Sequence, residues 1–327
     1  MFDKVKCLSE HAVMSSPDVF STLSTPPLRV AVIGLGSIGG VAAGLLQAAG
    51  RHSVVACTRR PLERLVVERD DGPVDVPIEA LTDSTQAGPV DWVLLCTKAH
   101  NTASAGPWLE RLCGPATRVA VLQNGIGHAE RVSPWVDADR VVPVIVYYNG
   151  ERLAPDRVRV RTVIEQDVAV ANDANGRAFA ELLDGTGLRV LRDDHFALRT
   201  WRKLLLNAVA NPITALTLQR QDVLRRDDVH ALCLSVLAEA VAVGRAEGVP
   251  LADDEAAQAM TVLFNFAPGL GTSMYFDRLA GRRCEIEALT GAIVAAGTRH
   301  GIAMPVNRTL LTLLRAINDA VDDNASP

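Results

Sequence analysis

The chain has 327 residues, with 33 Lys and Arg against 38 Asp and Glu, a formal net charge of −5, and 48% hydrophobic residues. This is a soluble globular composition, too long for one typical core, and its slight acidity argues against nucleic acid or an anionic membrane as partner. The six cysteines (Cys7, Cys57, Cys96, Cys113, Cys233, Cys284) form no C-x-x-C pair and the seven histidines no H-x-x-x-H spacing, so reduced thiols in a cytoplasmic protein without a metal are expected.

Residues 1–27 hold Asp3, Lys4, Lys6 and Glu10, lack an apolar core of signal length, and end in Pro26-Pro27. They read as a flexible extension. From Leu28 to Ile33 a nearly unbroken apolar run predicts a buried parallel strand. The loop Gly34-Leu35-Gly36-Ser37-Ile38-Gly39 follows and opens an Ala- and Leu-rich helix to Ala49. In that strand–turn–helix context G-x-G-x-x-G is a dinucleotide fingerprint: Gly34 for the turn, Gly36 for close approach of a pyrophosphate, Gly39 for helix–strand packing.

A second strand, His52–Thr58, ends at Arg59-Arg60, where an NAD-binding chain would carry Asp or Glu for the ribose 2′-hydroxyl. Two guanidiniums suit a 2′-phosphate, which favours NADP(H). Pro61 reads as the first position of a following helix, whose dipole would disfavour both cations unless an anion were present.

The alternation continues with strands at Val90–Cys96, Arg118–Leu122 and Arg140–Tyr147, and a helix at Thr102–Cys113. Arg157–Thr162 and Gln166–Ala171 read as a hairpin finishing the sheet, before a helix at Asn172–Leu183 and a strand at Leu188–Leu191. Lys98 and Asn124 lie in loops just past strand ends, where ligands of open α/β sheets bind, although Asn124-Gly125 is equally good turn chemistry. Beyond residue 194 the signals are helical: His195–Asn211, Asp228–Glu247, Asp253–Phe266, Glu285–His300 and Pro305–Val321. The expected architecture is a Rossmann-like doubly wound parallel sheet at 28–193 followed by an all-helical domain at 194–327. Ala231–Val243 is apolar, but Glu239 and its length make it a core helix, not a membrane span.

Within TWRKLLLNAVANPITA, Lys203, Asn207 and Asn211 recur every four residues and share one helix row, while their neighbours are almost all apolar. Such a helix is buried, and its polar row needs partners: a ligand, or backbone in the core. Pro212 is expected to limit the helix after Asn211. Downstream, Ser273 is a candidate helix cap, Asp277 and Glu285 candidate surface charges, and Glu285 opens a predicted helix, where a carboxylate is stabilised.

Taken together, GLGSIGG, CTKAHNT, QNGIG, WRKLLLNAVANPITA, and TSMYFD followed by Glu285 in CEIEALTG resemble the ketopantoate reductase (2-dehydropantoate 2-reductase) family from Leu28 to about Pro305. The resemblance implies NADPH-dependent reduction of 2-dehydropantoate (ketopantoate) to pantoate in pantothenate biosynthesis, with Lys203 as general acid and Glu285 contacting the cofactor ribose and ordering the site. It implies that Asn207, Asn211 and Ser273 hold substrate, that Asn124 lies at the nicotinamide end beside it, and that Lys98 and Arg59 serve the adenosine phosphate region. Asp277 and His128 receive no role. Two rivals stay open on the same residues: a reductase of another small 2-oxo acid and a non-catalytic NADPH sensor. A homodimer is an admissible assembly.

Overall fold

The computed structural model describes residues 26–325; residues 1–25 of the extension expected at 1–27 lie outside them. The first part of the chain runs β1 (Arg29–Ile33), α1 (Ser37–Ala49), β2 (Ser53–Cys57), β3 (Arg64–Glu68), β4 (Val74–Pro77), β5 (Glu79–Leu81), β6 (Val90–Leu95), α2 (Gly106–Leu112), β7 (Cys113–Val121), α3 (His128–Val132), β8 (Val141–Pro143), β9 (Ile145–Val146), β10 (Asn149–Ala154), β11 (Arg157–Arg161), β12 (Val168–Ala171), α4 (Ala174–Leu182) and β13 (Val190–Asp193).

Six of these strands form an all-parallel sheet in the order β5-β2-β1-β6-β7-β8. The order reverses between β1 and β6, so a crevice opens at their carboxyl ends. Val30, Val32, Trp92 and Leu94 point to one face, beside α1 and α4, and Ala31, Ile33, Val93 and Leu95 to the other, beside α2 and α3. Cover on both faces is why the strands read as continuous apolar runs.

A second sheet, β10-β11-β3-β4, lies against the outer side of α1. This contact explains the small residues of that helix: a Cβ at Gly40 would fall 2.7 Å from Val158, and one at Gly44 2.4 Å from Val67. Two expectations fail here. No helix follows Pro61; Leu65, Val66 and Val67 make a strand instead, because they are buried, pair with β11 and β4, and set Leu65 and Val67 against α1. The hairpin is β10–β11, turning at Pro155-Asp156, and Arg157–Arg161 does not pair with the strand after it. β12 instead joins a third sheet, β13-β12-β9, which splits the single strand expected over Arg140–Tyr147.

The remainder is helical: α5 (Phe196–Thr217), α6 (Asp227–Ala246), α7 (Glu255–Asn265), α8 (Ser273–Leu279), a π-turn at Glu287–Gly291, α9 (Ala292–Arg299) and α10 (Pro305–Ala325). Contrary to expectation, α5 continues through Pro212 for more than another turn. Proline costs a helix interior about 3 kcal/mol, yet Ile213, Thr214 and Ala215 beyond it are buried, and that packing holds the turn. The helix expected at Glu285–His300 is in fact the π-turn followed by α9. α6 is long and apolar enough to cross a membrane, but its Cys233, Val236, Leu237 and Ala240 are buried in the helical core. Its Glu239 accepts the backbone N–H groups of Val306 and Asn307 at 2.9 Å, capping α10.

Candidate active site

Three glycines shape the turn after β1. Gly34 has φ +94°, and a Cβ at Gly39 would lie 2.1 Å from the Gly34 carbonyl oxygen. At Gly36 a Cβ would meet nothing within 4 Å. No side chain caps α1, so its first N–H groups face open space beside Gly36. That cradle, formed by Gly34, Leu35, Gly36, Ser37, Ile38 and Gly39, fits the pyrophosphate of a dinucleotide. Tyr148 steadies it by donating its hydroxyl to the Ile38 carbonyl at 3.0 Å. Arg59 and Arg60 follow β2, are exposed, and have no ion-pair partner among the described residues. With no helix after Pro61, the helix-dipole argument for an anion there falls away, leaving two free guanidiniums at a strand end.

The carboxyl ends of β6 and β7 meet the helical part through a cluster of charges. Lys98 Nζ lies 2.8 Å from Asp277 on α8 and 3.2 Å from Glu285. The Ala99 N–H donates to Glu285 Oε1 at 2.8 Å, and the Asn124 amide to Oε2 at 3.4 Å. Burial alone would lower the Lys98 ammonium, but Glu285 and Asp277 outweigh it and hold the pKa above that of a free lysine. Asp277 also accepts from Arg282 at 3.0 Å. On α10, Asn318 accepts from the Cys284 N–H at 2.9 Å and donates to the Cys284 carbonyl at 3.0 Å, fixing the backbone that presents Glu285. Close by, Gly125 (φ +92°) packs where a Cβ would sit 1.9 Å from the Ala288 carbonyl oxygen of the π-turn.

Lys203 reaches from α5 toward the first part of the chain, donating to the Val146 carbonyl, with Nζ 5.5 Å from the centre of the Tyr147 ring. Burial lowers its pKa from 10.5 to about 8, against a smaller upward pull from Glu285. The two lysines thus differ in kind. Lys98 is locked between carboxylates, whereas Lys203 is an ammonium whose proton is available near neutral pH. Lys203 and Asn207 line a small pocket with Asn124, Gly125, Gln123, His128 and Thr200. The apolar faces of α5 bury Leu204, Leu205, Ala208 and Val209 in the core, which leaves Lys203 and Asn207 to face the sheet part of the chain.

Asn211 continues that row but is buried and does not line the pocket, and its amide has no hydrogen bond among the described residues. Ser273 is exposed at the first turn of α8. The cap of that helix is Thr272, which accepts from the Tyr275 N–H at 3.0 Å and meets Thr214 of α5 at 2.8 Å. Sequence reasoning missed three contributors. Gln123 binds Thr97 and Thr102 at 3.1 and 3.0 Å, Arg131 donates to Gln123 at 2.8 Å, and Asn318 holds Cys284. Asp277, a candidate surface charge, is buried. Only Gln123 carried a signal, standing next to Asn124 at a strand end.

The chain matches the family model described as Ketopantoate reductase PanE/ApbA over residues 30–173, and its C-terminal counterpart over residues 195–318. It is 39% identical over 292 residues to the 2-dehydropantoate 2-reductase of Mycobacterium tuberculosis, covering 89% of this chain and 98% of that one. The enzyme of the same name from Caulobacter vibrioides is 37% identical over 287 residues, covering 88% and 98%. Among solved structures, the PanE/ApbA family ketopantoate reductase from Ralstonia eutropha aligns with a TM-score of 0.81 at 30% identity, over 90% of this chain and 99% of that one.

The charge cluster makes a direct prediction. Replacing Lys98 with Met leaves the buried Glu285 without its cation and the buried Asp277 with Arg282 alone, and urea unfolding at neutral pH should show a loss of about 1–3 kcal/mol, reduced from a fully buried case because Lys98 is partly solvated. An unchanged midpoint would show that the cluster does not hold the helices to the sheet.

Proposed function

Because the chain belongs to the ketopantoate reductase family, we propose that it reduces the C2 carbonyl of 2-dehydropantoate to the alcohol of pantoate with NADPH, a step of pantothenate biosynthesis. The observation that carries this reading is the half-buried Lys203, its pKa lowered to about 8, beside Asn207 and Asn124 at the junction of the two domains. When bound, the cofactor supplies the hydride. As C2 accepts it, negative charge grows on the carbonyl oxygen, and Lys203 stabilises that charge and delivers the proton. Glu285, anchored through Oε1 by the Ala99 N–H, uses Oε2 to orient Asn124 and to meet the cofactor ribose.

Asn207, one turn along α5 from Lys203, offers an uncharged amide to the substrate. Asn211, with its unpartnered amide buried one turn beyond Asn207, and Ser273, exposed at the start of α8, lie outside the Lys203 pocket and would reach the substrate only from its rim. Lys98 lies at the end of β6 on the cofactor side of the crevice, and Arg59, free in solvent at the end of β2, is suited to a 2′-phosphate. A charge-assisted contact of this kind contributes about 1.5–3 kcal/mol, so Arg59→Ala should weaken NADPH binding by about that much and leave NADH nearly unchanged. Equal losses for both cofactors would mean that Arg59 does not read the phosphate.

Substrate identity is tested by NADPH oxidation against ketopantoate, 2-oxoisovalerate and pyruvate. A site built for a substrate hydroxyl rejects analogues lacking it by up to about 10⁴–10⁵-fold, so kcat/KM for ketopantoate should exceed the others by orders of magnitude. Similar efficiencies would assign the protein to another 2-oxo acid, and no turnover with any would leave a binding protein.

A further inference from the structure

One polar side chain of the Lys203 pocket takes no part in the chemistry above. His128 is the first residue of α3, follows Gly127 in its left-handed turn (φ +73°), and is more than nine-tenths buried. Its Nε2 lies 2.9 Å from the carbonyl oxygen of Gln123. A carbonyl can only accept, so Nε2 carries the hydrogen. Burial, reinforced by the nearby Arg131 and Lys203 cations, lowers the ring's pKa to about 4, so the imidazole is neutral at pH 7 and Nδ1 is a bare lone pair. Among the described residues Nδ1 has no hydrogen-bond partner, and the ring lines the Lys203 pocket.

The pocket that His128 shares with Lys203, Asn207 and Asn124 has a volume of about 20 Å³, room for a single oxygen-sized group. The sign of the hydrogen bond decides which group suits Nδ1. A carboxylate or keto oxygen brings only lone pairs against the lone pair of Nδ1, and a methyl group leaves it unpaired. A hydroxyl donates to Nδ1 while accepting from the Asn207 amide.

We infer that His128 is a substrate-binding residue that accepts the hydrogen bond of the hydroxyl lying at the far end of the substrate from its carboxylate, and so selects 4-hydroxylated 2-oxo acids. The inference rests on the reduction proposed above. His128 acts at the hydroxyl end and Lys203 at the keto end, so their losses have different signatures. A neutral acceptor also adds no charge that would oppose the alkoxide forming near Lys203.

The test compares two substrates in one variant. His128→Phe keeps a planar ring and removes both the Nδ1 acceptor and the Nε2–H that the Gln123 carbonyl accepts, the second loss falling on both substrates alike. It should lower kcat/KM for ketopantoate by about 10–100-fold, the loss expected for a buried hydroxyl left unpaired. Reduction of 2-oxoisovalerate and the affinity for NADPH should stay within about threefold of wild type. Equal losses on the two substrates would show that His128 only supports the Gln123 backbone, and no loss would show that it does not touch the substrate; either overturns the inference. If the Phe variant does not fold, His128→Gln and His128→Leu carry the same comparison: Gln, with donor and acceptor, keeps the preference for ketopantoate and Leu loses it. A wild-type protein that reduced both substrates equally would instead remove the substrate assignment beneath the inference, which separates the two failures.

Discussion

Two carboxylates from the helical part of the chain, Asp277 and Glu285, are buried against one ammonium from the sheet, Lys98. A buried carboxylate costs several kcal/mol unless it is paired and hydrogen-bonded; Asp277 is also paired by Arg282 of the helical part, but Glu285 takes its partners from Lys98, the Ala99 N–H and Asn124 and could not occupy its place if the ends of β6 and β7 were not there to receive it. The cluster therefore fixes where the helices sit over the carboxyl ends of the parallel strands. The rest of the site follows from that placement: Asn124 reaches Glu285, Gly125 tucks under the π-turn, and α5 presents its polar row to the junction. Lys203 loses its water for the same reason, and with it part of its affinity for a proton.

The division of labour between the two lysines is electrostatic. Lys98 faces two close carboxylates and keeps its charge; Lys203 faces a backbone carbonyl, an aromatic ring and a more distant Glu285. One residue type thus holds its charge in one place and is brought toward its neutral form in another by its neighbours alone.

Much of this was legible in sequence where the determinant is local. The tasks of Gly34, Gly36 and Gly39 depend on residues within one turn, and the Lys203–Asn207–Asn211 row depends only on helix period. What depends on distant partners was not legible. Asp277 meets Lys98 across 179 residues, so a lone acid in a seven-residue helix reads as a surface charge. The second sheet pairs β3 with β11, and Pro61 beside good local helix signals hid a strand that only α1 and Val158 make favourable. Pro212 misled for a related reason: local chemistry ends the helix there, and the buried Ile213 and Ala215 carry it on. Asn211 and Ser273, one buried beyond the pocket and one exposed, show how a row or a motif places a residue near a site without fixing its distance from the reacting atoms.

The central claim is that Lys203 is the proton donor and that burial has tuned it. The pH dependence of kcat/KM for ketopantoate reduction at saturating NADPH, measured together with pantoate oxidation, tests it most directly. With the pKa lowered to about 8, the ammonium needed for reduction is lost as pH rises, so reduction should fall about tenfold per pH unit above 8. Oxidation, which needs the neutral amine, should rise to a plateau over the same range. Lys203→Ala should abolish both limbs along with about 10²–10⁴ of the rate. Flat profiles between pH 6 and 10 in the wild-type protein, or limbs that persist in Lys203→Ala, would contradict the account.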